Sequence, residues 1–376
     1  MIAAISYSFL QEYWWAIISL LGALLVFLMF VQGGQSLLYT IGKTEMHRTM
    51  LVNTLGRKWE FTFTTLVTFG GAFFASFPLF YATSFGGAYW VWMAILFSFV
   101  LQAVSYEFRS KPANLLGKKT YDIFLFINGL MGPILIGTAV GTFFNGAAFS
   151  LNDYNQVMWQ SASRGLEAVT TFHNVALGLV VFFLVRVLAL QYFMNSIDDD
   201  EIIARSKKYL VYNTVLLLVF FLYFLVRLLI KDGYSYDADT LVVSLEKYKY
   251  LHNLLEMPLI LIFFLAGVAL LLWGIANDLL FKPGRGIWFS GIGTVLLVFS
   301  LFIIAGYNQT SYYPSWYDLQ SSLTIRNSSS SHYTLQVMSY VSLLIPFVVA
   351  YIWYAWKSIN KKKIDKTEME ETSQKY

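Results

Sequence analysis

"FGGAFFASFPLFYATSFGG", residues 69–87, is the stretch whose reading decides the fold. It holds four glycines and a proline inside a long uncharged run. In water, residues that weaken helices so strongly would mark a loop. In lipid they mark a helix that must come close to another, because small residues let backbones approach. Composition chooses between these readings. Of 376 residues, 57% are hydrophobic, 18% aromatic and 13% charged, against about 25% charged in soluble domains. Several windows carry no charge over about 20 residues, the length that crosses a bilayer as a helix. The sequence therefore describes an all-α integral membrane protein.

Nine apolar runs are long enough to span: 11–33, 59–83, 87–107, 121–144, 165–194, 208–230, 254–277, 287–308 and 334–356. Together they make a single membrane domain over residues 1–358, followed by a short cytoplasmic tail at 359–376. The fifth run is long enough to tilt or to project beyond the bilayer. Cysteine is absent, which excludes disulfides and thiolate metal sites. No signal peptide is expected, since residues 1–12 contain no Lys or Arg.

Basic residues in the connections give the orientation. One alternating set of connections holds 19 Lys and Arg, the other only Arg164, Lys231, Lys247, Lys249 and Arg326. The N-terminus is expected outside and the C-terminus in the cytoplasm. The opening stretch then becomes the outer half of span 2 with a tight, uncharged hairpin into span 3. Gly71 and Ala75, like Ala72 and Ser76, repeat small residues at i and i+4. Gly70, Gly71, Ala75 and Pro78 are thus expected to serve helix packing, Pro78 at the expense of one backbone hydrogen bond.

Ionisable groups inside a membrane default to functional candidates. Near the inner ends lie Glu60, Glu107, Arg109, Asp122, Arg186 and Asp278; near the outer ends lie Glu167, Arg227, His252 and Glu256. Snorkelling to the interface would account for most of them. For Glu107 and Arg109 structural pairing is the favoured role, whereas Glu60 and Arg186 stand open between structure and function. Glu256, before Pro258, suits a helix start. "SIDDDE" at 196–201 reads as a solvated acidic turn. The connection 309–333, rich in Ser, Tyr and Trp, is expected to lie flat on the bundle or on a partner.

At this point a family resemblance emerges. "KWEFTFTTLVTFGGAFFASFPLFYATSFGGAY" (58–89) resembles the most characteristic segment of cytochrome bd-type quinol oxidase subunit II, matching at Trp59, Gly70, Gly71, Ala72, Phe74, Ala75, Pro78, Tyr81 and Ala82. "YEFRSK" (106–111) and "SLTIRNSSSSHYTLQVM" (322–338), followed by Pro346 and Tyr351, are similar to two further family motifs in the family's order. The chain departs from the pattern in "VQGGQS" (31–36), where Gln32 and Gln35 stand at positions often acidic. Glu60 replaces an Asp, "FTFTT" replaces Gly-Asn-x-x-Trp, and Gln102 replaces a frequent Arg. This marks a divergent branch.

The resemblance implies two four-helix bundles plus a peripheral helix, in a heterodimer of the bacterial inner membrane. Its partner, subunit I, would hold two haems b and one haem d, oxidise quinol and reduce oxygen to water. This chain would support that subunit without carrying catalytic haems. It implies further a structural quinone in some members, a small single-span accessory subunit, bound lipid, and no nucleic acid. Proton access from the cytoplasm would draw on Glu60, Glu107, Arg109 and Arg186. No histidine pair here shares a helical face as axial ligation of haem requires, so His47, His173, His252 and His332 read as structural. The competing class is a secondary transporter, for which glycine and proline breaks would line a binding site. Nearly all charges sitting at span ends, and the lack of matching breaks in the two halves, speak against it. A haem-rich partner on copurification distinguishes the two.

Overall fold

The computed structural model describes residues 6–365 and residue 369. Among the described residues, seven helical stretches are long and apolar enough to cross a membrane, and two bent pairs raise the candidates to as many as nine. The first span joins α1 (Tyr7–Leu28) to α2 (Phe30–Gln35), with Ser6 accepting from Phe9 N at the start. Two short helices fill the next connection, α3 (Leu38–Ile41) and α4 (Glu45–Gly56). No apolar run announces α4, which is too short to span and is capped by the Thr44 side chain. Next come α5 (Trp59–Ser76), α6 (Pro78–Phe80), which leads into a π-helical turn at Tyr81–Gly87, and α7 (Tyr89–Phe108). Then follow α8 (Lys118–Asn145), α9 (Phe172–Ser196) and α10 (Asp200–Ile230). The remaining helices are α11 (Lys249–Glu256), α12 (Pro258–Leu280), α13 (Gly286–Gly306), α14 (His332–Ser342) and α15 (Ile345–Ile359). Among the described residues there are also two small antiparallel hairpins: β1 (Phe149–Leu151) with β2 (Val157–Trp159), and β3 (Gly233–Tyr236) with β4 (Val243–Glu246).

The opening stretch departs from expectation in two ways. Span 2 does not run to residue 83: α5 stops at Ser76, and the following segment leaves at 116°. Pro78 explains the break, since it has no N–H and forces the preceding Phe77 out of helical geometry (φ −134°, ψ 66°). The expected hairpin is the π-helical turn instead. Nor do Gly70 and Gly71 pack closely inside this chain, although Ser76 is buried and Ala72 packs against the core. A Cβ added to Gly71 would meet nothing within 4 Å, and one at Gly70 would meet only the Phe85 ring at 3.5 Å.

Close approach occurs elsewhere. A Cβ on Gly137 would lie 2.7 Å from Gly178 Cα, joining α8 to α9, and one on Gly267 would lie 2.9 Å from the Gly293 carbonyl, joining α12 to α13. These contacts supply the dispersion that lipid-facing helices cannot obtain from burial alone.

Other boundaries shift as well. Span 5 begins at Phe172 rather than 165, so it is of ordinary length. The acidic "SIDDDE" is a helix start: Asp199 caps α10 by accepting from Ile202 N. Connection 309–333 enters the bundle end rather than lying across it. Thr310, Ser311, Tyr312 and Ser315 have no exposed surface, and the Tyr312 ring sits 4.4 Å from that of Trp15. Trp15 anchors this aromatic core and donates to the Phe302 carbonyl at 3.0 Å.

Candidate functional site

A column of polar side chains enters the bundle from the end that carries most of the basic connections. Its deepest part is set by glycine. A Cβ on Gly33 of α2 would lie 2.0 Å from the Val185 carbonyl of α9, and one on Gly129 of α8 would lie 2.6 Å from the Gln32 carbonyl. Pressed between α8 and α9, α2 directs Gln32 and Gln35, one helical turn apart, onto α7. Both donate to Gln102 Oε1, from Gln32 Nε2 at 2.6 Å and from Gln35 Nε2 at 2.7 Å. Gln35 Nε2 also donates to the Tyr106 hydroxyl at 3.1 Å. All three glutamines are completely buried. Beside them Asn128, equally buried, donates to Ser98 Oγ at 3.3 Å.

These bonds leave much unmet. Gln32 Oε1, Gln35 Oε1, Gln102 Nε2 and Asn128 Oδ1 are buried without a hydrogen-bond partner among the described residues. Exchanging the oxygen and nitrogen of an amide changes which atom is left over, not the shortage of partners. An unmet buried polar atom costs roughly 1–3 kcal/mol. Four in one place call for a small guest with both donors and acceptors, which is what water offers.

Towards the basic end the column becomes charged. Arg109, one turn beyond Tyr106, is buried and donates from Nε to Asp122 Oδ1 at 2.6 Å. Arg48 Nε approaches the other Asp122 oxygen at 3.7 Å. Burial and the charge of Asp122 push the nearby Tyr39 hydroxyl above its ordinary pKa. The exposed pair Lys118–Glu45, at 3.2 Å, lies at the surface. Trp59 stacks on Tyr106 with ring centres 5.6 Å apart. From Arg109 to Ser98 along α7 the polar stretch covers about 16 Å. Beyond it lies an apolar layer that includes Met29, Ile95, Phe99 and Val185.

The expected site residues do not converge. Glu107 and Arg109 are not a pair: Glu107 is exposed and bonds Lys111 at 3.2 Å, while Arg109 turns inward to Asp122. Glu60 is exposed at the first turn of α5. Arg186 sits near the middle of α9, its guanidinium 5.1 Å from the Phe182 ring centre, with Nε buried and unbonded. Of the candidates, only Arg109 and Asp122 belong to the column. Asp278 is fully buried and caps the start of α13, accepting from Gly284 N at 2.8 Å and Gly286 N at 2.9 Å. Gln32, Gln35 and Gln102 were visible in the sequence only as separate departures, and Asn128 stood unremarked in an apolar span.

A second polar cluster closes the opposite end. Lys231 donates to the Phe144 carbonyl at 2.5 Å and to Asn145 Oδ1 at 2.8 Å. Burial, aided by the Arg227 charge, lowers the Lys231 pKa to about 8. Asn145 Nδ2 donates to Asn174 Oδ1 at 2.5 Å and to His173 Nδ1 at 2.9 Å. His173 Nε2 then donates to the Phe224 carbonyl at 3.2 Å, in the tautomer this network requires. His173 thus has both ring nitrogens engaged. The other histidines sit apart: His47 beside Arg205 and Asp199, His252 against Glu246, and His332 against the Tyr7 ring. Among the described residues no group of three His, Asp or Glu side chains could hold a metal ion.

The family described as cytochrome bd terminal oxidase subunit II matches residues 10–359. The chain belongs to that family. It is 28% identical over 370 residues to the probable cytochrome oxidase subunit 2 of Haemophilus influenzae, covering 95% of both chains. It is 24% identical to the cytochrome bd-I ubiquinol oxidase subunit 2 of Escherichia coli K12, covering 95% of this chain and 96% of that one. It is 27% identical to the cytochrome bd ubiquinol oxidase subunit 2 of Bacillus subtilis, covering 83% and 85% respectively. The fold is similar to the bd oxidase from Geobacillus thermodenitrificans, with a TM-score of 0.57 at 12% identity over 93% of this chain and 98% of that one. Family membership and the apolar helices make this a multi-pass subunit of a terminal oxidase in the bacterial cytoplasmic membrane. The transporter reading is set aside.

Proposed function

We propose that this chain, as subunit II of a quinol:oxygen oxidoreductase, supports a haem-bearing subunit I and carries water and protons towards it through the polar column. The two haems b and the haem d belong to the partner in this reading and supply the electron and oxygen chemistry when bound. In this reading the column mouth faces the cytoplasm and the N-terminus lies outside, supported by the excess of basic residues in one set of connections. Oxygen reduction consumes protons, and the column opens on the side from which they would come. The four unmet amide atoms carry the reading, because packing alone gives no reason to bury them. Arg109, held by Asp122, positions the mouth; Glu60, exposed nearby, collects protons at the surface. Glu107 extends that surface, and Arg186, lacking a carboxylate partner among the described residues, faces the partner or lipid. Quinol, a structural quinone and a small accessory subunit would complete the assembly.

The deciding experiment is Gln102→Leu in the assembled oxidase. Filling the cluster with an apolar side chain should leave haem content unchanged and slow quinol-driven oxygen consumption about tenfold, or about 1.4 kcal/mol in barrier. Unchanged turnover per haem would remove the proton role. The open face at Gly71 and Ala75 is proposed to receive a partner helix, since an exposed helical glycine otherwise only weakens the helix, by about 1 kcal/mol. Gly71→Leu should lower the yield of haem-containing complex; an unchanged yield would assign that face to lipid.

A further inference from the structure

Away from the polar column, a cavity of about 130 Å³ opens where α7, α8 and α9 meet the β1–β2 hairpin. Trp92, Trp159, Tyr313 and Trp316 stand in its wall, and among the described residues Glu167 is the only charged side chain lining it. The wall is built closely. A Cβ on Gly87 would lie 1.9 Å from the Trp159 indole nitrogen, and Gly165 takes a left-handed backbone (φ +97°) against Ala88. The Gly87 contact holds the Trp159 indole in place.

The hydrogen-bonding pattern is one-sided. Glu167 Oε2 accepts from Ser163 Oγ at 2.6 Å and from Gly165 N at 2.9 Å. Its other oxygen, Oε1, is buried with no partner among the described residues. The nearby indoles do not supply the missing donor: Trp92 Nε1 donates to Ser84 Oγ at 3.2 Å, and Trp159 Nε1 to the Thr83 carbonyl at 3.1 Å. No Lys, Arg or His lines the space. The cavity therefore offers a carboxylate and aromatic surfaces but no cation. A phosphate or carboxylate guest would meet Glu167 as a like charge. An ammonium group would satisfy the vacant oxygen by a charge-assisted hydrogen bond and be attracted by the ring faces.

We propose that this cavity binds a primary ammonium group. It lies at the end of three spanning helices, the level at which lipid head groups and tryptophans meet. Two sources share the chemistry, the head group of an ethanolamine lipid and a free small amine.

The test uses the intact complex, extracted and delipidated in detergent. Short-chain phosphatidylethanolamine and phosphatidylglycerol are titrated separately, with retention followed by native mass spectrometry and affinity by calorimetry. The ethanolamine lipid should bind, and Glu167→Gln, which can still accept the Ser163 and Gly165 bonds, should weaken it about tenfold while leaving the glycerol lipid unaffected. Trp316→Ala, on the exposed rim, is the second variant should Glu167→Gln fail to assemble, and it should weaken the same lipid. Competition by free ethanolamine would assign the site to small amines as well; lack of competition would assign it to the lipid. Equal binding of both lipids, or undiminished binding of the ethanolamine lipid by the variants, would overturn the proposal and leave the cavity to water. Neither outcome depends on the polar column, which α7 and α8 build at their opposite ends.

Discussion

Two polar clusters are buried in the same bundle, and they are finished differently. Around Asn145, hydrogen bonds run from Lys231 through Asn145 to Asn174 and His173, and from His173 to a backbone carbonyl. Around Gln102, three glutamines and Asn128 leave four polar atoms unmet. Both clusters border α9 and both are held by glycine contacts: Gly141 against Asn174 at one end, Gly33 against Val185 at the other. Packing therefore does not explain the difference. A cluster that closes on itself needs nothing else and rigidifies the fold. A cluster left open has room for a guest such as water to complete its hydrogen bonds.

The contrast is broken most severely at the closed end. Asn145→Leu would take one hydrogen-bond partner from each of Lys231, Asn174 and His173 at once, at a cost of about 2–4 kcal/mol. Thermal unfolding of the assembled complex should register that loss, with turnover per haem unchanged. A matching fall in turnover would show that the closed cluster is more than architecture. At the open end the ranking reverses. Gln102→Leu should slow turnover about tenfold yet cost little stability, because water would take the amide donors of Gln32 and Gln35. Were the cluster dry, the orphaned donors would cost about 1–3 kcal/mol each, so the melting curve itself reports whether water is present.

A third buried polar group sharpens the comparison. Lys58 is fully buried, and its ammonium has no hydrogen-bond partner among the described residues, lying 4.3 Å from the Trp356 ring centre. Burial, with the charge of Arg57, lowers its pKa to about 7 from the ordinary 10.5. Between those values the unfolded chain binds more protons than the folded one, so stability should rise with pH from about 7 to 10.5. Lys58→Met should flatten that slope and raise stability near pH 7 by about 1 kcal/mol. A slope unaltered in the variant would show that Lys58 does not titrate there.

The sequence made the spans legible because each is a matter of length and apolarity, and both survive any packing. The bend after Ser76 was harder to read. Pro78 was plain, but a membrane helix can absorb a proline, and the 116° turn depends on what surrounds Phe77. The small residues at 71 and 75 showed that a helix could be approached there, not which helix would come. In the column, Gln102 lies 70 and 67 residues from the two glutamines it binds. Each looked like an isolated substitution until α2 was seated between α8 and α9. The pairing of Arg109 with Asp122 rather than Glu107 has the same origin: Glu107 and Arg109, two residues apart on a helix, point to different sides.

Glu60 carries the smallest expected effect and marks where the open cluster meets solvent. Its carboxylate is exposed at the start of α5, beside Trp59, whose ring stacks on Tyr106 at the mouth of the column. Solvent reaches the same mouth, so a surface carboxylate can hasten proton capture but is not the only way in. Glu60→Gln keeps the shape and removes the proton-binding group. If Glu60 collects protons, turnover should fall about twofold to threefold, and most at alkaline pH, where free protons are scarce; this is well short of the loss expected for Gln102→Leu. If it only complements the helix end, stability should drop by about 0.3–1 kcal/mol with turnover intact. Turnover equal to wild type across the alkaline range would end the collecting role while leaving the deeper column untouched. A loss as large as that of Gln102→Leu would instead make Glu60 the principal entrance.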